Sequence, residues 1–202
     1  MIEEKVGLML SKNFGVLGRG EEIKVFKIVV REPLEIIPLV YNLDTKILIY
    51  EDRITGWFFD IADELRSNNE TGYVILMIAT AYLESNQKCI EGYCKDDWKE
   101  STNRLRRAIR RLFVDIPEIA VDFLVTDLRN GLFHDFIAKG NTSIQNTLPH
   151  VFFGDKNGIV INPHLFLDAV KIDFENYILK LKDVNNAQDR KNFEKYWDYL
   201  CG

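Results

Sequence analysis

Residues 126–136 read TDLRNGLFHDF. The stretch lies within an apolar, helix-like segment, yet it places Arg129, Asn130 and His134 within six residues. At about 100° per residue, Asn130 and His134 are i, i+4 neighbours on one helical face, and Arg129 and Phe133 form a second such pair beside them. An arc of about 140° separates Arg129 from His134, and Asn130, Phe133 and Ile137 fall inside it. One broad face thus mixes a cation, an amide, an imidazole and two large apolar groups. As a core face it is poor, because buried Arg and His need partners. As a solvated face it is also poor, because Phe133 and Ile137 would meet water. A two-fold dimer resolves the conflict: the apolar groups of two copies cover each other and the polar groups line a shared cleft. Gly131 falls on the far side, where it either lets another helix approach closely or loosens the helix locally.

The segment around this motif is expected to start at Pro117, at a favoured first-turn position, and to stop near Lys139–Gly140. Three helices are expected before it. From Glu51, residues Ile54, Trp57, Phe58, Ile61, Ala62 and Leu65 recur with helical period. A second helix over about 72–91 is apolar on most sides and is expected to be the central, most buried one. A third covers roughly 101–114, with Leu105, Ile109, Leu112 and Phe113 inward. Residues 144–161 read as a β-hairpin turning at GDKNG. Asn162 then caps a fifth helix that has Pro163 at its first position and runs to about Leu181. KDVNNAQDRKN, from Lys182, reads as a polar linker. Phe193, Trp197 and Leu200 suggest a short helix docking back.

Residues 1–50 are expected to form a small, partly β appendage: IKVFKIVV and KILIY are rich in β-branched residues. GVLGRG, residues 15–20, lacks the Gly-Lys-Ser/Thr of a phosphate loop and reads as an ordinary loop. The domains expected are therefore 1–50, a helical domain over 51–182, and a linker with a short helix over 183–202.

Hydrophobic residues make up 47% of the 202, enough for a packed core, which excludes wholesale disorder. The net charge of −5 excludes a protein that coats nucleic acid non-specifically but leaves room for a local basic patch. Cys89, Cys94 and Cys201 are odd in number and have no zinc-site spacing, and read as reduced thiols of a cytosolic protein. VGLML, preceded by two Glu, is too short for a signal peptide, and GYVILMIATAYL is too short to span a bilayer. The expectation is a cytoplasmic protein without a membrane partner.

The motif LRNGLFH resembles the signature of HEPN domains (higher eukaryotes and prokaryotes nucleotide-binding). That signature is an Arg, four to six intervening residues and a His, with a polar residue often directly after the Arg. Here these are Arg129, four residues beginning with Asn130, and His134. The long apolar helix ending in AYLES, two helices earlier, also resembles the family, and the likeness covers about residues 51–182. It implies a mainly α, HEPN-type bundle of about five helices with a hairpin insertion. Many members of the family resemble metal-independent endoribonucleases that act as homodimers through the motif helix. On that resemblance Arg129 and His134 are catalytic and Asn130 supports them by orienting His134 or the phosphate through hydrogen bonds, the substrate is RNA, and neither cofactor nor metal is needed. His134 would serve as general base or acid, since imidazole titrates near neutral pH. Arg129 would hold the phosphate and stabilise developing charge. Such domains often resemble toxins, which pair with an antitoxin protein, or phage-defence effectors. Others keep the fold without activity and bind a nucleotide, RNA or a protein partner.

A second feature is KESTNRLRRAIRR. With Leu105 and Ile109 inward, Arg104, Arg106, Arg107, Arg110 and Arg111 are expected to fan over the opposite side. Two readings stand equal: a band that binds RNA phosphates, or a solvated face pairing with nearby Glu and Asp. Glu84 is within expected reach of Arg129 or His134 but reads equally as a surface carboxylate. His150 and His164 share no motif with a Ser and an Asp. Asp127 and Asp135 flank the motif as solvated or salt-bridged groups.

Overall fold

The computed structural model describes residues 7–17, 24–29, 35–95, 97–135 and 137–201. The chain is mainly helical, with two small sheets. Four strands come first: β1 (Gly7–Met9), β2 (Phe14–Leu17), β3 (Lys24–Val29) and β4 (Glu35–Leu39). They form an antiparallel meander in sequence order. The strand expected in IKVFKIVV is β3; Pro38 sits in the edge strand β4, where a missing backbone donor is tolerated. Gly15 is in β2, whereas Gly18–Gly20 of the expected loop lie outside the described residues.

The expected appendage boundary at residue 50 shifts. KILIY is helical, in α1 (Leu43–Ile54), and the helix expected from Glu51 is the continuation of that element. A short apolar run does not itself separate strand from helix. Here the cap decides: the Asn42 side chain accepts from the Thr45 N–H at 2.9 Å, and Ile47, Tyr50 and Ile54 then bury one helical stripe. α1 passes through a π-helical turn, Thr55–Phe59, into α2 (Asp60–Leu65).

The meander is tied to this helix through one carboxylate. Asp52 accepts from Ser11 Oγ at 2.6 Å, from the Asn13 backbone N–H at 2.7 Å and from Asn13 Nδ2 at 2.6 Å. Next to it, Arg53 Nε donates to the Leu10 carbonyl at 2.6 Å, and its guanidinium lies over the Trp197 ring. The tight loop between β1 and β2 thus spends its polar groups on α1.

α3 (Gly72–Glu91) lies where the sequence places it and is the central helix, packed against α4 (Trp98–Leu112), α7 (Pro163–Lys182) and α8 (Ala187–Cys201). It stops at Gly92, whose φ of 58° suits a residue without a β-carbon, with the Tyr93 N–H returning to the Lys88 carbonyl at 3.0 Å. Tyr50, Phe59, Tyr82, Phe174, Phe193 and Trp197 pack edge-on or tilted around it, with ring centroids 5.2–6.4 Å apart. Cys89 sits in this core beside Tyr50, and burial pushes its thiol up to about 12.

Asn162 caps α7 as expected, accepting from the N–H groups of His164 and Leu165. The expected hairpin is shorter than 144–161. β6 (Phe152–Asp155) and β7 (Gly158–Ile161) make it, and β5 (Thr142–Ile144) lies parallel on the other side of β7. α8 takes up much of the expected linker, starting at Ala187. Phe193 and Trp197 dock as expected, but Leu200 is 52% exposed. Among the described residues, no helix is long and apolar enough to cross a membrane.

Asp52→Ala leaves Ser11 Oγ and the Asn13 amides without their charged acceptor. The expected loss is about 2 kcal/mol in a urea unfolding titration; an unchanged midpoint would show that the meander does not depend on Asp52.

Candidate functional site

The motif segment is one helical run in three parts: α5 (Glu118–Asp122), a π-helical stretch Phe123–Arg129, and α6 (Asn130–Asp135). Pro117 occupies the cap position, one residue before its expected place. The core stripe is Val121, Leu124, Val125, Leu128 and Leu132, all fully buried. The polar trio is therefore not on the core face. It lies on the adjoining side, leaving Phe133 39% and Ile137 55% exposed in the single chain.

The helix ends at Asp135 rather than near Lys139, and Phe136 lies outside the described residues. The chain then doubles back. Lys139 donates its N–H to the Asp127 carbonyl at 2.9 Å, and Gly140 turns with φ 57°. What approaches Gly131 is this returning backbone and not another helix: a β-carbon there would land on the Ile137 carbonyl oxygen. Of the flanking acids, Asp135 pairs with Lys139, and Asp127 accepts from the Thr126 hydroxyl.

Arg129, Asn130 and His134 line one open cleft of about 790 Å³ between α3, α4 and α6. Glu84 on α3 and Ser101 on α4 complete its centre. Arg129 donates to Glu84 Oε2 from Nε at 3.3 Å and from Nη2 at 3.0 Å, and Nη2 also reaches Ser101 Oγ at 3.1 Å. Ser101 Oγ in turn donates to Glu84 Oε1. Nη1 donates to Asn130 Oδ1 at 3.1 Å, so Asn130 steadies Arg129 rather than His134. The guanidinium also lies 5.5 Å from the Phe133 ring centre. His134 is exposed and makes no hydrogen bond with the described residues. The cleft thus holds a fixed guanidinium and an exposed imidazole; a guanidinium can hold an oxyanion, and an imidazole can take or give a proton.

The Arg band does not stand free. Arg107 grips Glu91 with two bonds at 2.7 and 3.0 Å, Arg110 grips Glu118 at 3.2 and 2.5 Å, and Arg106 meets Asp122 at 2.5 Å. Arg111 pairs with Asp173 on α7. These four fit the salt-bridged reading. Burial alone would raise the Glu91 carboxyl; the bonds from Arg107 and Gln87 outweigh it and hold the group below its ordinary range. Arg104 departs from both readings. It is 1% exposed, stacks on Tyr93, and lines the cleft from inside.

Lys88, Asp97, Ser101 and Thr102 belong to the cleft without having been singled out from the sequence. The available signals were Glu84 with Lys88 at i, i+4 and Ser101 with Arg104 at i, i+3, each pair one helical turn on one face. His150 is exposed, and His164 stands in the first turn of α7, both apart from the cleft. Among the described residues, no three His, Cys, Asp or Glu side chains gather as a metal site. Comparison with protein-family models, curated proteins and solved structures finds no match.

Gly131→Ala tests the packing under the motif. Helix propensity alone would stabilise by about 1 kcal/mol. The clash with the Ile137 carbonyl opposes this, and a net loss of about 1–2 kcal/mol is expected in thermal unfolding. A gain in melting temperature would place the returning backbone elsewhere.

Proposed function

We propose that the chain is a metal-independent endoribonuclease of HEPN type, active as a homodimer. The observation that carries this reading is the convergence of Arg129, Asn130 and His134 on one open cleft. The RNA supplies its own nucleophile. Its 2′-hydroxyl attacks the adjacent phosphorus, the 2′-oxygen to phosphorus bond forms, and the bond to the 5′-oxygen breaks. His134 takes the hydroxyl proton or protonates the departing oxygen, the partner's His134 serving the other half of the transfer. Arg129 neutralises the charge that builds on the phosphoryl oxygens. Asn130 holds Arg129 in place.

Two features support dimerisation through the motif helix. Phe133 and Ile137 are exposed beside the cleft, and Phe133 already covers one side of Arg129. The biological setting we propose, a cytoplasmic toxin restrained by an antitoxin protein or a phage-defence effector, rests on the resemblance of the motif alone. The second reading, a silent HEPN module that binds a nucleotide, RNA or a protein partner, is favoured by Glu84. Its carboxylate neutralises Arg129, and a phosphate has to compete with it.

The test is incubation of a mixed RNA pool in EDTA with the unaltered protein and with His134→Ala. Cleavage by the unaltered protein, leaving 2′,3′-cyclic phosphate ends, and a fall of at least about a hundredfold in the variant are expected. Equal cleavage by both proteins would remove His134 from catalysis and assign the cleavage to another site or a contaminant; cleavage by neither would favour the silent module.

A further inference from the structure

Arg104 is the buried cation that the proposed chemistry leaves unused. Its guanidinium stacks 4.3 Å from the Tyr93 ring centre, and Nη2 donates to the Asp97 carbonyl at 3.2 Å. Its Nε and Nη1 are shut off from water and have no hydrogen-bond partner. No carboxylate among the described residues forms a salt bridge with it. Glu91, gripped by Arg107, acts on Arg104 through charge alone, and a buried guanidinium with no carboxylate bonded to it is costly, because its N–H groups have lost water without gaining an acceptor. The four other arginines of the same helix each hold a carboxylate, so the shortage is particular to Arg104.

Its surroundings show what would relieve that cost. Arg104 forms part of the cleft wall, and Lys88 lines the same cleft. Lys88 lies one turn beyond Glu84 on α3, and Arg104 lies one turn beyond Ser101 on α4. Within the cleft Glu84 and Ser101 fix Arg129, while Lys88, which lines the same wall as Arg104, makes no ion pair with the described residues. Asp97 also lines the cleft, while the Glu84 carboxylate is engaged by Arg129 and Ser101.

We infer that Lys88 and Arg104 form a phosphate-binding site in the cleft wall, in addition to the Arg129–His134 pair. A phosphate group there supplies the bonded anion Arg104 lacks, and Lys88 meets it from the open side. The source of that phosphate is a single strand of nucleic acid, whose neighbouring phosphate lies against Arg129. This choice of source rests on the ribonuclease reading; the phosphate site itself does not. The site fixes how a strand lies in the cleft, making Lys88 and Arg104 positioning residues.

The experiment monitors the Arg104 Nε–H signal by NMR during titration with inorganic phosphate and, separately, with a short 2′-deoxy oligonucleotide that lacks the attacking hydroxyl. Both probes are expected to move the signal, and Lys88→Ala to weaken both about tenfold. Arg104→Lys is expected to do the same. Should that variant unfold, Lys88→Ala decides the matter, because Lys88 carries no core contact that Arg104 makes. Failure of phosphate to move the Arg104 signal, or equal affinity with and without Lys88, overturns the site. Inorganic phosphate bound through Lys88 while the strand ignores Lys88 leaves the site standing and overturns the strand as its source. Lys88-dependent binding in a protein that cleaves no RNA removes the ribonuclease reading alone.

Discussion

The ion pair between Glu84 and Arg129 joins the central helix to the motif helix, and the cleft takes its shape from it. Both side chains are about one-fifth exposed, so the pair is neither a solvated surface bridge nor a fully dry one. In that setting its worth comes less from attraction between two charges than from geometry. Five hydrogen bonds link Glu84, Ser101, Arg129 and Asn130, and they leave the guanidinium a single orientation. Three helices are thereby held at one point. The same cleft is lined by the exposed His134 imidazole and by the cations Lys88 and Arg104.

The π-helical stretch Phe123–Arg129 makes this placement possible. A π turn inserts an extra residue into a helix and rotates its C-terminal part relative to its N-terminal part. The buried stripe of Leu124, Val125, Leu128 and Leu132 stays against the core while Arg129 and His134 emerge beside it. The returning backbone at Ile137 and Lys139 covers the far side at Gly131, so the motif helix is braced from behind. The same device recurs at Thr55–Phe59, where Gly56 lies under the Lys12 side chain at the seam with the meander.

Local signals made part of the structure legible in the sequence. α3 and α7 carry clear stops and starts, Gly92 in one case and Asn162 with Pro163 in the other, and both helices lie where those signals put them. The trio of Arg129, Asn130 and His134 was legible because it lies on one helix. KILIY was not, since five apolar-rich residues fit a strand as well as a helix and only the cap at Asn42 separates the two. The fate of the arginines was out of reach for a different reason. Their partners Glu91, Glu118, Asp122 and Asp173 come from elsewhere in the chain, which no helical wheel displays. Arg104 did leave a trace: Ala108, its i+4 neighbour, is a small apolar residue on the same inward face, and both are buried.

The cleft depends on Glu84 and Arg129 acting together to hold α3 against the motif helix. A double-mutant cycle of Glu84→Ala and Arg129→Ala, read by urea unfolding, measures that coupling directly. A favourable interaction energy of about 1 kcal/mol is predicted, since the two groups are in contact and partly shielded from water. Additive effects of the two substitutions, with a coupling near zero, would contradict it: the motif helix would then be held by its apolar stripe alone, and the cleft would lose the fixed guanidinium on which its proposed chemistry depends.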